Sequence, residues 1–193
     1  MDYIIADNFF ENPNSIRKKA LTEYKYYDKK NHPIGIGHFP GFRTLYLDQI
    51  DNVFYRNIFD KFIPIFCKLK NIKDPAEKYS KFLFQASFSY TLKGTNSCRH
   101  IDDISDGYKE RYGALVYLRE NPPKKSGTTL YLDNKKKLLE NKYNRLVMYS
   151  SDIEHEPTDN FGSDINNGRL VLTMFLDVVW QNNKNMIVYN NER

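Results

Sequence analysis

Cysteine is scarce in this chain of 193 residues: Cys67 and Cys98 are its two, too few and too loosely placed for a disulfide framework. Cys98 is read as a small packing residue. No stretch approaches the roughly 20 consecutive apolar residues that a membrane span needs. The N-terminus, Met1-Asp2-Tyr3-Ile4-Ile5-Ala6-Asp7, lacks the basic region and long apolar run of a signal peptide. Internal repeats, linkers and low-complexity tracts are missing too. These absences exclude a disulfide scaffold and a membrane partner, and they point to a reducing, cytoplasmic setting.

Aromatic residues, by contrast, are plentiful: 15 Tyr and 13 Phe. Aromatic rings suit a pleated, half-buried surface, so this composition favours strands over a helical bundle and argues against disorder. The net charge of +5 comes from Lys and Arg distributed widely. The densest cluster, Lys135-Lys136-Lys137, reads as a solvated cap on a hairpin or loop. Such charge attracts an anionic partner weakly and is no evidence of nucleic-acid binding.

The pattern along the chain is helices first and strands later. Ile4 to Phe10 reads as a short strand entering a turn. Asn12-Pro13-Asn14-Ser15 supplies a helix start before Ile16, Ala20 and Leu21, which have helical spacing. A Gly- and Pro-containing loop, His32 to Arg43, is rich in distinctive residues and is a candidate site lining. A second helix is expected over Ile50 to Cys67, with Val53, Phe54, Ile58, Phe62 and Ile65 as its apolar stripe. Strands are expected over Lys81–Leu92, Gly113–Leu118, Thr128–Leu132, Arg145–Tyr149 and Arg169–Val179, separated by turn signals such as Asn121-Pro122-Pro123, Asp133-Asn134 and Asn166-Asn167-Gly168. Trp180, closing the last strand, is expected in the core. The fold class is therefore α+β, with a β-barrel-like or jelly-roll half. One domain over 1–193 is expected: 1–80 as helical support and loop, 81–180 as the β core.

His100-Ile101-Asp102 carries the chemistry. In an extended segment residues i and i+2 project from the same side, so an imidazole and a carboxylate would face one point. His155 is the best-placed remaining histidine for a third ligand. Two histidines and one carboxylate on one face leave positions open on ferrous iron, the donor set of non-haem oxygenases. Alone, H-x-D also fits a surface loop with a polar His and a turn-forming Asp. Arg169 adds context, because it opens the apolar run Leu170 to Leu176. A buried arginine needs an anion, and a carboxylate held by its planar fork would serve. The alternative is an edge arginine paired with Asp152 or Asp159.

In this order the motifs resemble the catalytic core of 2-oxoglutarate/Fe(II)-dependent oxygenases, closest to the prolyl-4-hydroxylase-like branch: His100-Ile101-Asp102, Val116-Tyr117-Leu118, Ser126-Gly127-Thr128-Thr129-Leu130, His155 and Arg169. Upstream, Asp7-Asn8-Phe9-Phe10 through Leu21, and then Phe39-Pro40-Gly41-Phe42-Arg43, resemble uncharacterised bacterial and phage members. The resemblance implies a double-stranded β-helix core with N-terminal supporting helices. It implies iron held by His100, Asp102 and His155, and Arg169 binding the distal carboxylate of 2-oxoglutarate. Tyr117 and Tyr90 would donate hydroxyl hydrogen bonds to the same co-substrate, although each also fits core packing with its hydroxyl satisfied. The implied reaction consumes dioxygen, gives succinate and carbon dioxide, and hydroxylates a C–H bond, with ascorbate in support. Two departures touch the co-substrate contacts: Val171 stands where many members carry Ser or Thr, and the paired turn glycines are reduced to Ser126-Gly127.

Other residues keep two readings. Arg43 is either a substrate contact or part of a structural ion pair. Asp103 either holds a ligand in place, accepts a polar substrate group or is a solvated turn residue, and Arg99 is equally ambiguous. His32 and His38 are loop or substrate-side residues, since no carboxylate is paired with them at ligand spacing. The primary substrate is a protein side chain of prolyl type, a small metabolite or a nucleobase. A non-catalytic jelly-roll binding or structural protein is the competing class. A cupin-type metal enzyme without 2-oxoglutarate leaves Arg169 unexplained.

Overall fold

Side chains alternate strictly along the last strand, and that alternation divides the molecule. Leu170, Leu172, Met174, Leu176 and Val178 point into the larger core, while Arg169, Val171, Thr173 and Phe175 line a cavity on the other face. A computed structural model describes residues 2–34, 39–133 and 135–180. His38, Gly35 to Gly37 of the Gly/Pro loop, Asn134 of the expected turn and residues 181–193 of the expected domain lie outside the described residues.

The elements in chain order are β1 (Tyr3–Ala6), α1 (Pro13–Thr22), β2 (Tyr27–Asp28), β3 (Phe42–Arg43), α2 (Leu47–Ile50) and α3 (Asn52–Lys70). After a 3-10 turn at Pro75–Glu77 come β4 (Tyr79–Thr91), β5 (Glu110–Tyr117), β6 (Gly127–Leu132), β7 (Lys135–Glu140), β8 (Leu146–Ser150), β9 (His155–Thr158) and β10 (Arg169–Trp180). A seven-stranded sheet runs β1-β8-β5-β10-β4-β3-β2, and a three-stranded sheet runs β7-β6-β9. Their pairings are antiparallel. Two such sheets face to face, with helices on the outer face of the larger one, make the jelly-roll core with supporting helices.

The helices begin where the sequence supplies caps. The Asn12 side chain accepts from the Ser15 N–H, with Pro13 in the first turn, and Asp51 accepts from the Phe54 N–H to start α3. α3 lays Ile58, Phe62 and Phe66 against the large sheet, each fully buried and stabilising by roughly 1.5–3 kcal/mol. Val53, expected in that stripe, is 75% exposed in the first turn. Between the sheets a smaller core of Tyr117, Leu130, Leu139, Val147, Tyr149 and Val171 closes the end of the roll.

Several expectations change. The first 80 residues supply strands as well as helices: β1 pairs with β8, and β3 with β4. Lys135-Lys136-Lys137 follows the hairpin turn but forms the start of β7, an exposed edge strand on which lysines discourage further pairing. Trp180 is no core residue. It is 39% exposed, against the Tyr79 ring at 5.5 Å and beneath the Lys78 ammonium at 4.4 Å. At Gly127 only glycine fits, since a Cβ there would collide with the Leu139 carbonyl oxygen.

Candidate functional site

His100 and His155 meet through their backbones. The His100 N–H donates to the His155 carbonyl at 3.0 Å, and the His155 N–H donates to the His100 carbonyl at 2.8 Å. Such a closely paired antiparallel bridge brings the rings to 4.4 Å between centroids. Two residues on, the Asp102 N–H donates to the Ser151 carbonyl at 3.2 Å, keeping the segment extended and its carboxylate on the same side. Asp102 Oδ1 lies 3.8 Å from His100 Nε2, and Oδ2 lies 3.5 Å from His155 Nε2. One ligand atom from each residue falls within 4.8 Å of the others.

The ring nitrogens are assigned by their partners. His100 Nδ1 lies 2.8 Å from the Cys98 carbonyl and His155 Nδ1 lies 2.9 Å from the Ile153 carbonyl. A carbonyl oxygen only accepts, so each Nδ1 carries the proton and each Nε2 of the neutral ring presents a lone pair toward Asp102. Burial pushes the His155 imidazole below its ordinary pKa, opposed by the Asp102 charge, and the neutral ligating form is favoured. The donor set and its fixed tautomers fit ferrous iron.

Residues outside the H-x-D motif hold this arrangement. Ser151 gives both its N–H (3.0 Å) and its hydroxyl (2.7 Å) to the Arg111 carbonyl, and its own carbonyl receives Asp102. Gly113 on β5 leaves room for the carboxylate: a Cβ there would stand 3.2 Å from Asp102 Oδ2 and 3.4 Å from the Tyr149 ring. The Tyr149 ring packs 4.7 Å from His155, and burial pushes its phenol well above the ordinary value, so it remains a proton donor. The sequence reading missed Ser151, Gly113 and Tyr149. The alternation of Val147 and Tyr149 in the expected strand was the available signal for the last.

The three candidate ligands open onto a cavity of about 710 Å³ that Arg169 also lines. Arg169 is 4% exposed. Its Nη2 donates to the Gly127 carbonyl at 3.3 Å and to Thr128 Oγ1 at 3.2 Å, while its Nε is buried without a partner. No carboxylate pairs with it among the described residues; neither Asp152 nor Asp159 does so. Tyr117 lies beneath this corner. Its hydroxyl shares a 2.8 Å hydrogen bond with Thr128 Oγ1 and donates to the Leu139 carbonyl at 3.3 Å, and its ring lies 5.6 Å from the Arg169 guanidinium. Tyr117 therefore braces Thr128 and Arg169 from behind, with its hydroxyl already engaged.

Tyr90 is on the other face of β4. Ser89 and Thr91 line the cavity, whereas Tyr90 stacks on Phe42 at 4.7 Å and meets Tyr26 edge-on at 5.1 Å, on the side of the larger core. Val171, at the position of the expected hydroxyl, leaves an apolar patch on the cavity wall; Thr128 and the hydrogen-bonded pair Ser89–Thr173 (2.8 Å) supply hydroxyls instead. Arg43 lines the cavity and forms no ion pair among the described residues, which leaves the structural-pair reading without support there. Asp103 lines the mouth, and Arg99 pairs with Glu154 on the surface. Cys98 is exposed at the cavity edge rather than packed. His32 is buried between Tyr27 and Phe39, with Nε2 3.2 Å from the Thr44 carbonyl.

Among the described residues, no helix is long and apolar enough to cross a membrane. No protein-family profile matches the chain, and no curated protein matches it in sequence. Solved structures do match. A Pseudomonas putida prolyl-4-hydroxylase superimposes with a TM-score of 0.56 at 16% identity, over 92% of this chain and 91% of its own. The 2-oxoglutarate complex of the viral collagen prolyl hydroxylase from Paramecium bursaria Chlorella virus 1 gives 0.55 at 12% identity, over 93% and 97%. HygX from Streptomyces hygroscopicus, with nickel and 2-oxoglutarate bound, gives 0.64 at 13% identity, over 91% and 82%. At such identities the likeness is one of architecture: the chain has the fold shared by the prolyl-4-hydroxylases and HygX.

Proposed function

We propose that the protein is a non-haem Fe(II) oxygenase that couples oxidative decarboxylation of 2-oxoglutarate to succinate with hydroxylation of a primary substrate. The observation that carries this reading is Arg169, a buried guanidinium with no acid partner among the described residues, opening onto the same cavity as His100, Asp102 and His155. An uncompensated buried charge costs several kcal/mol, on the order of 3–5, so the position makes sense when an anion fills it. The distal carboxylate of 2-oxoglutarate is that anion in this reading. A non-catalytic jelly roll leaves both the converging ligands and the unpaired arginine without a purpose.

His100, Asp102 and His155 would hold the iron, which supplies the activation of dioxygen that no side chain offers. The chain's own residues bind and orient. Arg169 and Thr128 fix the far end of the co-substrate, with Tyr117 bracing Thr128. Val171 and Leu115 give the cavity apolar wall and limit water near the reacting centre. Tyr149, hydroxyl protonated and ring against His155, is placed to steady the ligand and to donate a hydrogen bond into the cavity.

The test is direct. Protein supplied with Fe(II), ascorbate and 2-oxoglutarate should release succinate, slowly even without a primary substrate. His100→Ala and Asp102→Ala should each abolish this. Full turnover in those variants, or failure of the native chain to bind Fe(II), sinks the reading.

A further inference from the structure

Arg43, at the end of β3, is a second cavity cation with no acid of its own among the described residues. Arg111 on the same cavity sets the contrast: its Nε and Nη2 grip the two oxygens of buried Asp177 at 2.6 and 2.8 Å. Arg43 has no such partner among the described residues. Its Nε is buried and unpaired, and the Phe39 ring lies 4.7 Å from its guanidinium carbon. The nearby groups that act on its charge are the Tyr46 phenol and Asp102. Asp102 forms no ion pair with Arg43 and faces the two histidines instead, so among the described residues no acid pairs with Arg43.

Arg43 and Arg169 serve different anions. β3 and β10 flank β4, with Arg43 opposite Ser89 and Arg169 opposite Thr91. Two strand spacings across and two residues along put their backbones roughly 12 Å apart. Once 2-oxoglutarate takes Arg169, the free guanidinium left on the cavity wall is Arg43, beside Phe39 and Tyr46. The cavity volume of about 710 Å³ belongs to the size range of small-molecule sites. The net charge of +5 favours encounter with anions.

We propose that Arg43, with Phe39 beneath it and Tyr46 alongside, binds an oxyanion of the primary substrate, which is a small molecule bearing a carboxylate or phosphate group. This deepens the oxygenase reading and rests on it. Planar guanidinium pairs with either group through two parallel hydrogen bonds, and an aromatic face supports the cation while that pair forms.

Melting of the metal-free full chain with two probes, acetate and inorganic phosphate, tests it. In an Arg169→Gln background Arg43 is the cavity arginine still lacking an acid, and at least one probe should raise the melting temperature by roughly 3–6 °C at tenfold excess over its Kd. A rise with acetate alone assigns a carboxylate; a rise with phosphate alone assigns a phosphate ester. The double variant Arg169→Gln/Arg43→Gln should lose the rise, and Arg169→Gln/Arg43→Lys should keep a smaller one. No rise in the Arg169→Gln background, or an undiminished rise in the double glutamine variant, overturns the proposal. Arg169→Leu replaces the glutamine background should that variant not fold. The oxygenase reading fails separately, through the absence of Mn(II) and 2-oxoglutarate binding by the native chain.

Discussion

His100 and His155 exchange both backbone hydrogen bonds, so the two imidazoles are positioned by the same bridge that extends the smaller sheet. Each ring is then locked by its own Nδ1 contact two residues upstream. The site is built mainly from backbone geometry, which leaves the side chains free to ligate.

Loss of any one of His100, Asp102 or His155 to Ala should therefore remove metal binding without unfolding the protein. Replacing outer partners of a metal ligand weakens binding about 10–100-fold, and removing a ligand should exceed that. Titration with Mn(II) followed by electron paramagnetic resonance measures it. Retention of native Mn(II) affinity by two of the three variants would contradict the site.

Arg169→Leu should have opposite effects on stability and binding. Without co-substrate the variant should melt higher than the native chain, because a buried charge without an acid is replaced by an apolar side chain. Affinity for 2-oxoglutarate should fall by about 2–5 kcal/mol, or roughly 30-fold or more. Calorimetric melting and equilibrium binding read the two quantities independently. A lower melting temperature would indicate that Arg169 has an acidic partner inside the protein.

Gly113→Ala tests the clearance beside Asp102. The added methyl would sit 3.2 Å from Oδ2, so the carboxylate must turn or the strand must shift. Overpacking of this kind costs about 1–3 kcal/mol. Metal affinity should drop in a chain that still folds, which circular dichroism and Mn(II) titration would establish together.

Asp7 supplies a pH dependence remote from the site. Hydrogen bonds from Arg145 and Lys142 hold its carboxyl well below the ordinary value of 3.8. A carboxylate depressed in the folded state adds stability that is present above the unfolded value and is lost as pH falls toward the folded one. The melting temperature of native protein should thus fall more steeply below about pH 4 than that of Asp7→Asn. The pair is partly exposed, so the difference should stay within roughly 2–4 °C. Parallel melts from pH 6 to acid, on both proteins, give the comparison.

Much of the architecture was legible before folding was considered. The apolar run within Arg169–Val179, the helix start at Asn12-Pro13-Asn14-Ser15 and the apolar stripe of the second helix are local signals, and each marks an element of the structure. β9 and the strand made by Lys135-Lys136-Lys137 were not legible, because polar edge strands take their conformation from the partner β6 rather than from their own pattern. Tyr90 shows the limit most sharply. A tyrosine one residue from a cavity-lining serine faces the opposite core, and no spacing rule sets that phase without the pairing register.

By itself the sequence determined which chemistry was on offer: His100 and Asp102 at a spacing that puts them on one side of an extended segment, and an arginine at the head of an apolar strand. Only the tertiary structure decided that His155 bridges His100, that Arg169 meets no acid among the described residues, and that Arg43 stands on the same cavity wall. The reason is physical. Side-chain type and short-range alternation are properties of the chain, whereas burial and the absence of a counter-charge come into being when distant strands pair.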